Sequence, residues 1–151
     1  MTSLIVIKTR MGDLSVYGDN AITGVDWGRA GISAPNEVLI EAKSQILNYF
    51  NGTLRSFSLP ISPEGTQFQV RVWKGLTKVP YGETLTYGKF AKRLNTSPRA
   101  VGRACASNPI PLIIPCHRII GRGGALVGYS GGDGIATKAN LIIFEKETAQ
   151  E

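Results

Sequence analysis

Cys116 and His117 stand side by side at the end of NPIPLIIPCHR, the stretch from Asn108 to Arg118, and His117 is the chain's single histidine. A cysteine attacks as its thiolate, and an imidazole that can take the thiol proton is the usual way to obtain one. Pro109, Pro111 and Pro115 exclude a helix here and predict a buried extended segment, whose neighbouring side chains point to opposite faces. A direct Cys116–His117 hydrogen bond is therefore awkward, and a bridging water or a local bend must connect the two. Spacing alone leaves a second reading open, a structural cysteine beside a surface histidine. One histidine and two cysteines fit neither the common zinc-ligand patterns nor a disulfide framework. The glycine-rich GRGGALVGYSGGDG lacks the Gly-Lys-Ser/Thr ending of a phosphate-binding loop.

The segment leading to this pair is strongly basic. Arg71, Lys74, Lys78, Lys89, Lys92, Arg93, Arg99 and Arg103 are opposed there by Glu83 alone, within a chain of net charge +6. Such local concentration points to a polyanionic partner, nucleic acid first. Thr86 is placed to cap a helix from Tyr87 to Leu94, and Asn95-Thr96-Ser97-Pro98 forms a turn. Ser97 then caps a second helix, PRAVGRACAS, that begins at Pro98 and stops at Asn108-Pro109. Two short helices joined by a tight turn predict a helix-turn-helix. Ala100, Gly102, Ala104 and Ala106 keep the second helix slim, with Arg99 and Arg103 on one face. With few side chains able to read base edges, it suits backbone contact and minor-groove insertion. Cys105, within this helix, reads as a buried packing residue.

The remaining sequence supplies a scaffold. SLIVIKT, LSVYG and AITGVDW are β-branched runs bounded by Gly and Asp, the pattern of an antiparallel meander. Val38, Leu39, Ala42, Ile46, Leu47 and Phe50 recur at helical spacing over Pro35–Asn51, and Phe68, Val72, Trp73 and Leu76 do so over Phe68–Val79. SLPISPEGTQ between them reads as a linker, giving lobes at residues 1–62 and 63–151. With 42% hydrophobic residues in 151, an ordinary globular α+β protein is expected. The initial apolar run of four residues is too short for a membrane span or a signal peptide, so an intracellular location is expected.

From Phe68 to Glu147 the chain resembles the 6-O-methylguanine-DNA methyltransferases. The matching stretches are FQVRVWKGLTKVPYGETLTYGKFA, SPRAVGRACASNPIPLIIPCHRII and GYSGG. The resemblance implies a ribonuclease H-like N-terminal lobe with a small antiparallel sheet and a helix. It implies a helical C-terminal lobe with a winged-helix-like helix-turn-helix. It further implies that Cys116 accepts an alkyl group from the guanine 6-oxygen in a single turnover. His117 would act as base through a water, Glu145 in the helix LIIFEKE would orient it, and Tyr87 would donate to the leaving oxygen. Asn108 would hold the turn between recognition helix and active-site segment.

On the same resemblance, Arg99 would fill the gap left by a flipped nucleotide, while Ser97, Ala100, Gly102, Arg103 and Arg118 would meet DNA. Gly128, Tyr129, Ser130 and Ile119 would wall the base pocket. The partner implied is double-stranded DNA carrying 6-O-alkylguanine, met by a monomer with no metal, no cofactor and no membrane. Two other classes compete. Alkyltransferase-like lesion binders lack the acceptor cysteine, which Cys116 supplies here, and cysteine hydrolases do not usually place Cys and His next to each other.

Overall fold

A computed structural model describes residues 3–29, 31, 35–129 and 131–150. The chain forms two compact units, Met1–Glu64 and Gly65–Glu151. Both helices and an antiparallel sheet are present, as the sequence predicts.

In the first unit, β1 (Leu4–Thr9), β2 (Gly12–Gly18) and β3 (Ile22–Trp27) form an antiparallel sheet in chain order. The register pairs Ile7 with Leu14 and Val16 with Val25, so the β-branched runs share one buried face. Helix α1 (Glu37–Phe50) is capped by Asn36, whose side-chain oxygen accepts from the Leu39 amide. Its buried face carries Leu39, Ala42, Ile46, Tyr49 and Phe50, close to the predicted stripe. The linker is less free than its composition suggests. Ile22 exchanges 2.8 Å backbone hydrogen bonds with Pro60 and Ser62, and buried Gln45 accepts from the Ser58 amide at 2.9 Å.

In the second unit, α2 (Gln67–Leu76) opens with a capping box between Thr66 and Gln69. It ends before Val79 because Thr77 closes the last turn. Then follow β4 (Leu85–Thr86), α3 (Tyr87–Arg93) and α4 (Pro98–Ala106). Thr86 and Ser97 cap their helices as predicted, accepting from the amides of Lys89 and Ala100. Asn95 takes a positive φ of 55° in the turn between them, a conformation asparagine tolerates better than most residues. The Trp73 indole donates to the Ala104 carbonyl at 2.8 Å, fixing α4 against α2. The chain continues through a 3-10 turn at Cys116–Arg118, β5 (Ile119–Ile120) and α5 (Ile135–Ala149).

Candidate active site

Three pieces of local structure carry the site. The first is the segment after α4, which is buried as expected but not extended. Ile114 donates back to the Ile110 carbonyl at 2.9 Å, and Leu112 sits at φ +73°. A left-handed conformation at a branched residue is strained and persists only where its surroundings enforce it. Asn108 does much of the enforcing. Its Oδ1 accepts from the Ile110 amide and its Nδ2 donates to the Ile114 carbonyl, both at 3.0 Å.

The second piece is the turn that holds the reactive pair. Because Cys116–Arg118 is a 3-10 turn, the local bend replaces the predicted extended geometry. Both side chains are inside, with His117 fully buried and Cys116 nearly so. His117 Nε2 lies 2.7 Å from Glu145 Oε2, while its Nδ1 is buried without a hydrogen-bond partner. One face of the imidazole ring is thus fixed and the other nitrogen is available for proton transfer. Burial pushes the Cys116 thiol up, and a hydrogen bond with Asn108 and the positive charge of Lys138 pull it partly back. The resting state is the thiol, and attack needs a base.

The third piece is a short parallel ladder. β4 pairs with β5 through Leu85–Ile119 and Thr86–Ile120. Since β5 leaves the Cys116–Arg118 turn directly and β4 enters α3 directly, the ladder brings Tyr87 to the site. The Tyr87 hydroxyl donates to the Val127 carbonyl at 3.3 Å. Burial, with added repulsion from Cys105 and Cys116, raises it to about 12, so it is a donor at neutral pH. Gly128 has φ +76°, and a Cβ there would stand 2.8 Å from the Tyr87 hydroxyl. Tyr129 is buried next to it, and Ser130 lies outside the described residues.

Two sequence expectations are corrected. Arg118 is not a surface contact for DNA. It is buried, with Nε and Nη2 donating to Glu145 and Nη1 to the Val79 carbonyl at 2.8 Å, so its donors serve the interior. Ile119 is fully buried in the ladder and has no surface to offer a ligand, so it is core and not a pocket wall. The other predicted DNA contacts lie on or just before α4. Ser97, Arg99 and Arg103 are exposed, Ala100 and Gly102 partly so, and a Cβ at Gly102 would meet only open space.

One functional candidate escaped the sequence. Lys138, on α5, is fully buried with its Nζ 2.7 Å from the Val127 carbonyl and 5.5 Å from the Tyr87 ring centroid. Burial lowers its pKa, opposed by attraction to Cys116 and Cys105. The signal was available in principle. Lys138, Leu141 and Glu145 fall at i, i+3 and i+7, one face of a helix that begins at Ile135, six residues earlier than the LIIFEKE stretch suggests. Among the described residues, no group of three His, Cys, Asp or Glu side chains could hold a metal, and no helix is long and apolar enough to cross a membrane.

A basic two-helix surface leading into a buried thiol, with an imidazole fixed by a carboxylate beside it, defines a nucleic-acid-directed protein with cysteine chemistry. Comparison with known proteins makes this specific. Residues 67–147 match the DNA binding domain of 6-O-methylguanine DNA methyltransferase. The chain is 50% identical over 138 residues to the methylated-DNA–protein-cysteine methyltransferase of Methanosarcina acetivorans, covering 84% of this chain and 88% of that one. The crystal structure of Mycobacterium tuberculosis O6-methylguanine methyltransferase superimposes with a TM-score of 0.86 at 36% identity, covering 98% of this chain and 94% of that one. Mycobacterium tuberculosis OGT in complex with DNA gives a TM-score of 0.84 at 34% identity over 97% and 94%. The chain belongs to the 6-O-methylguanine DNA methyltransferase family.

Proposed function

We propose that this protein removes the alkyl group from the 6-oxygen of guanine in duplex DNA and keeps it on Cys116, once per molecule. The observation that carries the reading is the buried Cys116–His117 turn whose imidazole is anchored to Glu145 and whose Nδ1 has no other partner. A 6-O-alkyl group lies within the base stack, so the nucleotide is extruded before reaction. Arg99, exposed at the start of α4, fills the gap, and the slim face of Ala100, Gly102, Arg103 and Ser97 follows the backbone. The loop at Gly128, Tyr129 and Ser130 receives the base.

In the chemical step, the Cys116 proton passes through water to His117 as sulfur attacks the alkyl carbon. The S–C bond forms, the C–O bond breaks, and its electron pair stays on the guanine oxygen. The Tyr87 hydroxyl donates a hydrogen bond to that oxygen, stabilising charge where it develops. Glu145, 2.7 Å from Nε2, holds the imidazole in orientation. The thioether formed has no hydrolytic exit, so the molecule is spent. This route needs no metal or cofactor from the chain's side. We further read the first unit as ribonuclease H-like, the second as winged-helix-like, and the active species as a monomer.

The test is transfer of a labelled methyl group from 6-O-methylguanine in a duplex oligonucleotide. One equivalent is expected on the Cys116 peptide, with none in Cys116→Ala. Binding with the lesion intact would overturn the reading. Arg99→Ala is expected to slow reaction with duplex DNA at least tenfold while reaction with the free alkylated base changes less than twofold.

A further inference from the structure

The carboxylate that holds His117 belongs to the last turns of α5, and a tight turn before β4 is laid directly against it. Pro80–Glu83 closes with the Glu83 amide donating to the Pro80 carbonyl at 3.1 Å. Gly82 takes φ +81° at the third position, as a type II turn requires. A Cβ on Gly82 would stand 2.7 Å from the Ala149 Cβ and 3.5 Å from the Glu145 carbonyl oxygen, so glycine is what lets the turn approach α5 this closely.

Tyr81, at the second position of this turn, meets the Arg118–Glu145–His117 chain at two points. Its ring lies against Arg118, whose guanidinium carbon is 5.6 Å from the ring centroid, within cation–π range. The Val79 carbonyl, two residues earlier, accepts from Nη1 of the same arginine at 2.8 Å. The Tyr81 hydroxyl is hydrogen-bonded to Thr148 Oγ1. The Thr148 hydroxyl has one proton, which serves the Phe144 carbonyl at 2.8 Å and the Glu145 carbonyl at 3.3 Å. Tyr81 is therefore the donor and Thr148 the acceptor. One side chain thus steadies both the arginine that forks onto the Glu145 carboxylate and the backbone that carries it.

We propose that Tyr81 is a positioning residue for alkyl transfer, fixing the Glu145 carboxylate against His117 through Arg118 on one side and Thr148 on the other. The proposal rests on the reading of His117 as the base. Helix ends fray, and Glu145 lies four residues before the last residue of α5. Its Oε2 must nevertheless stay 2.7 Å from Nε2 for the imidazole to keep its orientation. Small displacements of groups that position a reacting partner are costly in rate. Tyr81 itself neither gives nor takes a proton in the reaction; its effect is on geometry.

Tyr81→Phe keeps the ring over Arg118 and removes the hydroxyl, while Thr148→Val removes its acceptor with little change of shape. Two measurements on the full chain test the proposal. The first is the single-turnover rate of methyl transfer from a 6-O-methylguanine duplex at saturating protein, with affinity for that duplex measured on the Cys116→Ala background. The second is the nitrogen-15 spectrum of the imidazole, which gives one set of signals because His117 is the chain's single histidine. Each variant is expected to slow transfer about tenfold, with affinity changed less than about twofold. Each should also shift or broaden the Nε2 signal. The double variant should be no slower than either single one, since both remove the same hydrogen bond. Tyr81→Leu, which loses the ring as well, should be slower still; if it does not fold, the two near-isosteric variants decide. A merely structural tyrosine would lower the melting temperature and leave rate and spectrum alone. Imidazole signals in Tyr81→Phe that match the wild type overturn the proposal, as do altered signals with a transfer rate within twofold of wild type. A wild type that transfers no methyl group sinks the reading of function instead, and the histidine signals then still decide whether Tyr81 positions the ring.

Discussion

Arg118 and Glu145 meet as a fork on a carboxylate: Nε donates to Oε1 at 2.8 Å and Nη2 to Oε2 at 3.1 Å, with both residues buried. The oxygen reached by Nη2 is also the one 2.7 Å from His117 Nε2. One carboxylate therefore serves the imidazole and is itself held by arginine. Losing one member of a buried pair strands the other charge, which costs roughly 3–5 kcal/mol. Arg118→Ala should lower the melting temperature by about 10 °C, as expected for a chain of this size. Arg118→Lys should recover little of this, because an ammonium cannot reproduce the planar fork. Thermal unfolding of the two variants checks this, and a shift below about 2 °C in either would refute it.

The same carboxylate links stability to acid. Burial pushes the Glu145 carboxyl up, but His117 and then Arg118 outweigh burial and hold it at about 2, against an ordinary value of 4.5. A folded value below the unfolded one means that its contribution is complete above about pH 4.5 and is lost as pH falls toward 2. Glu145→Gln removes the titration. In urea unfolding, the stability gap between wild type and Glu145→Gln should be widest near neutral pH and shrink steadily from about pH 5 to about pH 3. A gap that is constant over that interval would contradict the assignment.

The order of elements was readable because local signals agreed with tertiary ones. The caps Thr86 and Ser97, Pro98 at a helix start and the meander of the first unit all announce themselves at short range. What could not be read was set at long range. The family resemblance puts Arg118 among the DNA contacts, and only the return of α5 reveals its carboxylate partner 27 residues away. The family resemblance puts Ile119 in the pocket wall, whereas its pairing with Leu85 buries it. The prolines forbade a helix at 109–115 but could not distinguish an extended segment from the tight turn that Asn108 clamps.

The contact between Gly128 and Tyr87 predicts a coupling between them. Alanine at φ +76° would be strained by about 1–2 kcal/mol on backbone grounds alone. Its Cβ would also stand 2.8 Å from the Tyr87 hydroxyl and displace it. Gly128→Ala should therefore slow alkyl transfer more in the wild type than in Tyr87→Phe, where the clashing oxygen is gone. A double-mutant cycle on transfer rates should give a coupling of about 1 kcal/mol or more. Additive effects would show that the glycine is needed for its backbone conformation only.

Lys138 makes the final case, because its charge has no obvious structural need. Its Nζ reaches the Val127 carbonyl, the same oxygen that accepts from Tyr87, and its positive charge lowers the Cys116 thiol's pKa. Lys138→Met keeps the unbranched stem and its packing while removing that charge. The thiol should then become harder to ionise, and a rise of one pH unit in its apparent pKa corresponds to a tenfold loss of thiolate at neutral pH. The rate of Cys116 reaction with iodoacetamide, followed against pH, should shift to higher pH in Lys138→Met with its high-pH plateau preserved. A purely structural lysine would instead lower the plateau and leave the midpoint in place. The midpoint therefore separates an electrostatic role from a packing one without any DNA present.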